Sequence, residues 1–305
     1  MKSWNRFKNS YLLYSFKRDP VAIFSFSVLS ALVIISILAP VLAPHNTYDM
    51  ATIDIMDAET PPSWMEGGSK SFILGTDIQG RDLFSTMIYG LRVSLLIGVG
   101  AVLFQAVVGI LVGLLSGYLG GKLDAFLMRI ADIQFSIPYL IVAIFTSAIF
   151  KLAFGVGRYA ELAVPLLIII IGMSEWPKYA RTVRASVLGE KNKEYVEAAR
   201  VIGISRWQIM YRHVLPNTLT PVLVISTIQV AEAVMSEAAL TFLGLGMPIT
   251  KPSLGALIRA GFEYIFSGSW WITFFPGVLL IILILVILLL GDWLRDVLNP
   301  KLYKG

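Results

Sequence analysis

No cysteine occurs among the 305 residues, and the only two histidines, His45 and His213, are far apart. Thiol chemistry, disulfides and thiolate metal sites are therefore excluded, and a histidine-rich metal cage has too few ligands. Charge is scarce as well: Asp, Glu, Lys and Arg make up 15% of the chain against 56% hydrophobic residues. What is abundant is apolar sequence, in runs long enough to cross a bilayer as helices. The chain reads as an all-α, polytopic membrane protein. Its net charge of +5 carries no message about nucleic acid, and none is expected as a partner, because in such proteins the placement of Lys and Arg reports orientation. A membrane enzyme would need a convergent catalytic set, for which the residues are missing.

The basic start, MKSWNRFKNSYLLYSFKRDP, leads into an apolar run from Val21 to Ala43. That run is too long for the apolar part of a signal peptide and matches the ~20 residues of a spanning helix, so it reads as an uncleaved first crossing. Hydropathy predicts six crossings, near Val21–Leu42, Val93–Tyr118, Phe135–Phe150, Leu162–Trp176, Thr220–Leu243 and Thr273–Leu290. Six crossings put both termini on one side. Eighteen of the 25 Lys and Arg fall there, including Lys2, Arg6, Lys8, Lys17 and Arg18 at the start and Arg295, Lys301 and Lys304 at the end. Both ends are expected in the cytoplasm.

The outer stretch from His45 to Tyr89 is acidic and too short for a core of its own. Its second half is expected to form an interfacial helix capped at Asp77 that leads into the second crossing. The chain then divides into residues 1–91 (tail, first crossing and outer segment), a membrane bundle over 92–291 with a cytoplasmic loop at about 178–217, and a C-terminal tail, 292–305.

The sequence carries no phosphate-binding loop for ATP. The nearest match to a phosphate loop, SGYLGGKLD, has Ser116 in place of the first glycine and Leu123 in place of the magnesium-binding hydroxyl. The basic inner stretch EYVEAARVIGISRWQIMYRHVLPN (194–217) instead reads as two short helices. Lys193/Glu197 and Glu197/Arg200 are spaced for ion pairs on the first, and Ala198 and Ala199 offer a face for close approach. Gly203 suits a left-handed turn, Ser205 with Gln208 starts a second helix, and Pro216 is expected to stop it. The alternative is an amphipathic loop lying on lipid headgroups.

Glu197-Ala198-Ala199, Gly203 and Leu215-Pro216 resemble the cytoplasmic EAA loop of bacterial ABC importer permeases, with His213 where that loop usually has Ile. The branch that imports peptides and nickel resembles this chain over most of its length. LGTDIQGRDLFSTMIYGLRVSL is similar to its outer signature, which places Gly75, Thr76, Asp77, Gly80, Arg81 and Asp82 in that motif. GYLGGKLDAFLMRIADIQFSIPYL, EAALTFLGLG and GDWLRDVLNP are similar to later segments, and the long outer segment is similar to C-type subunits. The resemblance implies a type I importer permease fold in the bacterial inner membrane and transport of peptides or related solutes by alternating access. It also implies a homologous second permease, two ATPase subunits that carry ATP and magnesium, and an outer substrate-binding protein. Docking to the ATPase would then fall to Glu197, Ala198, Ala199, Gly203, Ser205, Arg206, Leu215 and Pro216.

Two carboxylates inside a crossing remain. A buried charge there needs a cavity or a partner, so Glu232 and Glu237 are pathway candidates, whereas Glu175 reads as interfacial. In an ion-coupled secondary transporter, the rival reading, one of those two carboxylates would titrate. The second Glu-Ala-Ala, at Glu237, lies in an apolar run and is a decoy.

Overall fold

The computed structural model describes residues 11–49 and 53–298. Lys2, Arg6, Lys8, Asn299, Pro300, Lys301 and Lys304 lie outside the described residues. Within them the chain is helical: α1 Tyr11–Arg18, α2 Pro20–Ile37, α3 Leu83–Leu119, α4 Gly121–Ser136, α5 Tyr139–Glu190 and α6 Glu194–Val201. They are followed by α7 Arg206–Phe242, α8 Leu254–Phe262 and α9 Trp271–Leu298. Local chemistry sets several of these boundaries. Asp19 caps α2, accepting from the backbone N–H of Val21 at 2.9 Å and of Ala22 at 3.1 Å, and Pro20 opens the first turn, where no N–H is needed. Pro138 biases Ile137 towards extended backbone (φ −100°, ψ 120°) and ends α4 there, so the third crossing begins at Tyr139 rather than at Phe135.

Among the described residues five helices, α2, α3, α5, α7 and α9, are long and apolar enough to cross a membrane. The six expected crossings are reconciled inside α5, which carries the third and fourth. It breaks at Gly155, whose φ of 80° and ψ of 161° lie in a region essentially reserved for glycine. The rings of Phe150 and Tyr159 are 6.3 Å apart, whereas nine residues of straight helix rise about 13 Å. The chain folds sharply at this point.

The start of α3 differs from expectation. Asp82, not Asp77, is its N-cap, accepting from the backbone N–H of Ser85 at 2.9 Å. Asp77 is taken up by Arg81. Among the described residues no separate interfacial helix precedes the crossing, because Leu83 and Met87 are buried against Leu257, Trp271 and Ile272 of α8 and α9.

The core lies between α3 and α5. Gly109, Gly113 and Gly117 recur every fourth residue on α3, and α5 is pressed against them. A β-carbon would lie 2.2 Å from Tyr179 Cβ at Gly109, 2.4 Å from the Ala180 carbonyl oxygen at Gly113, and 2.9 Å from Val187 Cβ at Gly117. Around this seam Ile97, Ala101, Leu167, Ile171, Tyr179 and Val183 are buried. On the outward side Leu96, Leu103, Val107 and Leu111 are exposed. Helices that are apolar all round are the mark of a bundle immersed in hydrocarbon.

The two ends of the bundle are chemically distinct. At one end, Phe16 packs edge-on against Trp293 at 5.3 Å, bringing the first and last described helices together. Arg295 and Leu298 there share a cavity of about 390 Å³ with Thr182 and Thr220, next to the loop that carries α6. At the other end gather the residues around Thr76, the loop after α7 and the start of α9.

Candidate coupling elbow and ionic sites

Between α5 and the crossing part of α7 the chain forms an elbow. α6 ends at Val201 and Gly203 reverses the chain with φ +87°. The hydroxyl of Ser205 accepts from the backbone N–H of Gln208 at 3.3 Å, capping the next helix as its sequence implies. Val196 and Ala199 are buried, while Glu197, Ala198, Arg206 and Pro216 are exposed. Only one of the two alanines therefore belongs to the outer face. Neither ion pair expected at Glu197 forms. Lys193 stands in extended backbone at the cap, off the helix, and pairs with Glu190 at 2.6 Å. Arg200 donates to the Lys191 carbonyl at 3.2 Å.

Pro216 does not stop the second helix. A π-helical turn, Met210–Val214, carries the chain through into Leu215–Phe242 as one continuous rod. The widened turn leaves room for a ring that lacks an N–H, so no break is needed. Tyr195 ties the parts together: its hydroxyl donates to Glu190 at 2.6 Å and accepts from the Asn217 amide at 3.1 Å.

The outer signature forms a closed knot. Arg81 meets Asp77 at 2.6 Å with both side chains almost wholly buried, and its guanidinium also donates to the Ile249 carbonyl at 3.3 Å. Gly75 and Gly80 both have positive φ. Thr76 bridges to Asp82, and the Trp271 indole donates to the Thr76 carbonyl at 3.2 Å. The signature thus fastens α3 to α9 and to the loop after α7.

The two intramembrane carboxylates have different surroundings. Glu237 is 0% exposed and accepts from Ser94 at 2.8 Å and Thr241 at 2.9 Å. Glu232 is half-exposed and lies 2.7 Å from the Lys178 ammonium, which is itself 2.8 Å from Glu175.

Sequence reading missed the α5 cations. Lys178, Arg181 and Arg184 follow one another at three residues, each step turning the helix back by about 60°. Their partners accordingly change from α7 to α4: Arg181 meets Asp132 at 2.6 Å, and Arg184 donates to both oxygens of Asp124 at 2.6 and 2.7 Å. Held mainly by Arg184, the Asp124 carboxyl is pulled down to about 2. The spacing was the available signal, but the counter-ions are distant in sequence.

Residues 109–304 match the family described as binding-protein-dependent transport system inner membrane component. Residues 3–62 match the N-terminal TM domain of oligopeptide transport permease C. The di/tripeptide transport system permease protein DppC of Pseudomonas aeruginosa is 36% identical over 94% of this chain and 90% of its own length. The dipeptide permease DppC of Haemophilus influenzae is 35% identical over 95% and 93%. The probable D,D-dipeptide permease DdpC of Escherichia coli is 34% identical over 97% and 93%. Among solved structures, an inward-facing MetNI methionine ABC transporter shares the fold, with a TM-score of 0.55 at 24% identity over 70% of this chain and 96% of that one. Family matches to both parts of the chain and near full-length relatives converge on one conclusion: the chain belongs to the ABC type I importer permeases, as a C-type subunit of their peptide-transport branch.

Proposed function

We propose that this non-catalytic membrane subunit passes peptides, or closely related small solutes, from an outer substrate-binding protein to the cytoplasm by alternating access. On this reading the energy comes from two ATPase subunits, which hold the ATP and magnesium, and a homologous second permease completes the passage. The elbow end faces the cytoplasm of the bacterial cell together with both termini, and Glu197, Ala198, Gly203, Ser205, Arg206 and the Leu215-Pro216 step belong to the ATPase docking surface. Near full-length relatedness to peptide permeases supports the solute class.

One observation carries the docking assignment. Around the Gly203 turn the elbow exposes Val201 (88%), Ile202 (77%) and Trp207 (57%) in an otherwise charged segment. An apolar tip with a charged rim fits a protein groove. The ion-coupled alternative, in which Glu232 or Glu237 would titrate, is not favoured by the near full-length relatedness to ABC importer permeases.

Replacing Gly203 tests the assignment. Valine there strains a left-handed turn by about 1–2 kcal/mol and re-aims the start of α7. Gly203→Val is expected to insert and pair with the second permease, yet to lose transport and binding-protein-stimulated ATP hydrolysis. Gly203→Asn, which tolerates positive φ, should keep most of both. Full coupled transport by Gly203→Val would refute the assignment.

A further inference from the structure

Lys178 on α5 sits between Glu175 of its own helix, at 2.8 Å, and Glu232 of α7, at 2.7 Å. Glu232 lies near the middle of the apolar run Thr220–Leu243. These side chains are nevertheless open, at 21% for Glu175, 30% for Lys178 and 46% for Glu232. Lipid is not a tenable neighbour for a carboxylate at the depth of Glu232, and Glu175 and Lys178 reach it from the inner end of the fourth crossing, so this face meets the water of a passage open to that side.

The cluster is also incompletely neutralised, since two carboxylates share one ammonium. Glu175 Oε2 lies at ion-pair distance from Lys178 but outside hydrogen-bonding geometry. A separate observation points the same way. Gln229 is 2% exposed, and its amide donates to Glu232 at 2.8 Å, while its Oε1 is buried without a partner. A buried acceptor thus stands unused beside a carboxylate with spare lone pairs. The group that fits brings one positive charge and several hydrogen-bond donors, as a primary ammonium does.

We infer that Glu232, Glu175 and Gln229 form a site on the passage wall for the protonated amino group of the transported solute, with Lys178 as the resident cation that the solute displaces. The inference rests on the peptide-import reading above.

Its test is ATP-driven uptake of trialanine by proteoliposomes that contain the complete importer and saturating binding protein. Uptake by the wild type checks the reading itself, and its absence would sink both. With wild-type uptake established, two variants divide the possibilities. Lys178→Met removes the resident competitor and is expected to keep or raise uptake. The neutral triple variant Glu175→Gln/Lys178→Met/Glu232→Gln leaves no unbalanced charge but abolishes the site, and uptake should fall by about tenfold or more, the scale of a lost charge-assisted hydrogen bond. Binding-protein-stimulated ATP hydrolysis should persist in both. A purely structural ion pair gives the reverse pattern, with Lys178→Met impaired and the neutral triple active; that result overturns the inference. If the triple variant does not assemble, Lys178→Met decides alone.

Discussion

Glu232 and Glu237 share a helix, and five residues of helix turn their side chains about 140° apart. One therefore reaches an open face, while the other enters the seam between α3, α7 and α8. There Ser94 bonds Glu237 at 2.8 Å and also accepts from the backbone N–H of Leu254 at 3.3 Å. Glu237→Gln keeps the shape and one carbonyl acceptor. Glu237→Ala leaves buried hydroxyls unsatisfied, at about 1–3 kcal/mol each. Thermal unfolding in nanodiscs should accordingly show a much lower midpoint for Ala than for Gln, and equal midpoints would show that the cluster does not brace α8. Asp124 offers a pH test. Because its carboxyl is held at about 2, below the ordinary carboxylate value, its contribution is complete above that ordinary value and is lost only as pH falls towards 2. The stability gap between wild type and Asp124→Asn should be constant from pH 5 to 8 and shrink in stronger acid. A gap that widens in acid would refute the pair.

Among the elements, the α3–α5 seam depends most on what is missing, namely side chains at Gly109, Gly113 and Gly117. Gly113→Leu has no room beside the Ala180 carbonyl, and α5 would have to move away along its length. Gly157, also helical, has nothing within 4 Å of a β-carbon. Gly113→Leu should therefore abolish a monodisperse, protease-resistant product while Gly157→Leu retains it. Much of this level was legible in the sequence because it is local. The Gly203 reversal, the Ser205 cap and the apolar runs are each fixed by a few neighbouring residues. The misreadings have the opposite character. Asp77 and Asp82 are both plausible caps, and only the folded Arg81 contact decides between them. Pro216 reads as a stop unless a π turn precedes it, and Lys193 reads as helical until its extended backbone is seen. Lys178 found Glu232 across 54 residues, a distance that no spacing rule covers.

For the molecule as a whole, the absence of cysteine makes sidedness measurable without background. Lys70→Cys and Ser205→Cys lie at opposite ends of the bundle and should react with impermeant maleimide from opposite faces of intact cells, Lys70→Cys from outside. Labelling of Ser205→Cys from outside would invert the orientation. A last consequence concerns the π turn at Met210–Val214. Such a turn holds one residue more than an α-helical path requires, so it sets the angular phase between the elbow and everything beyond it. Deleting Arg212, which is exposed, would leave the Glu232 and Glu237 faces of α7 in place but rotate Trp207 about the rod by roughly 100°. The deletion variant should insert and pair normally yet fail to couple, and adding one alanine back at the same point should restore coupling. The elbow is then keyed to the passage by a count of residues, and a lost amino acid, by turning Ile209 and Met210 out of their buried places, can disable the importer while the crossings beyond it stay in register.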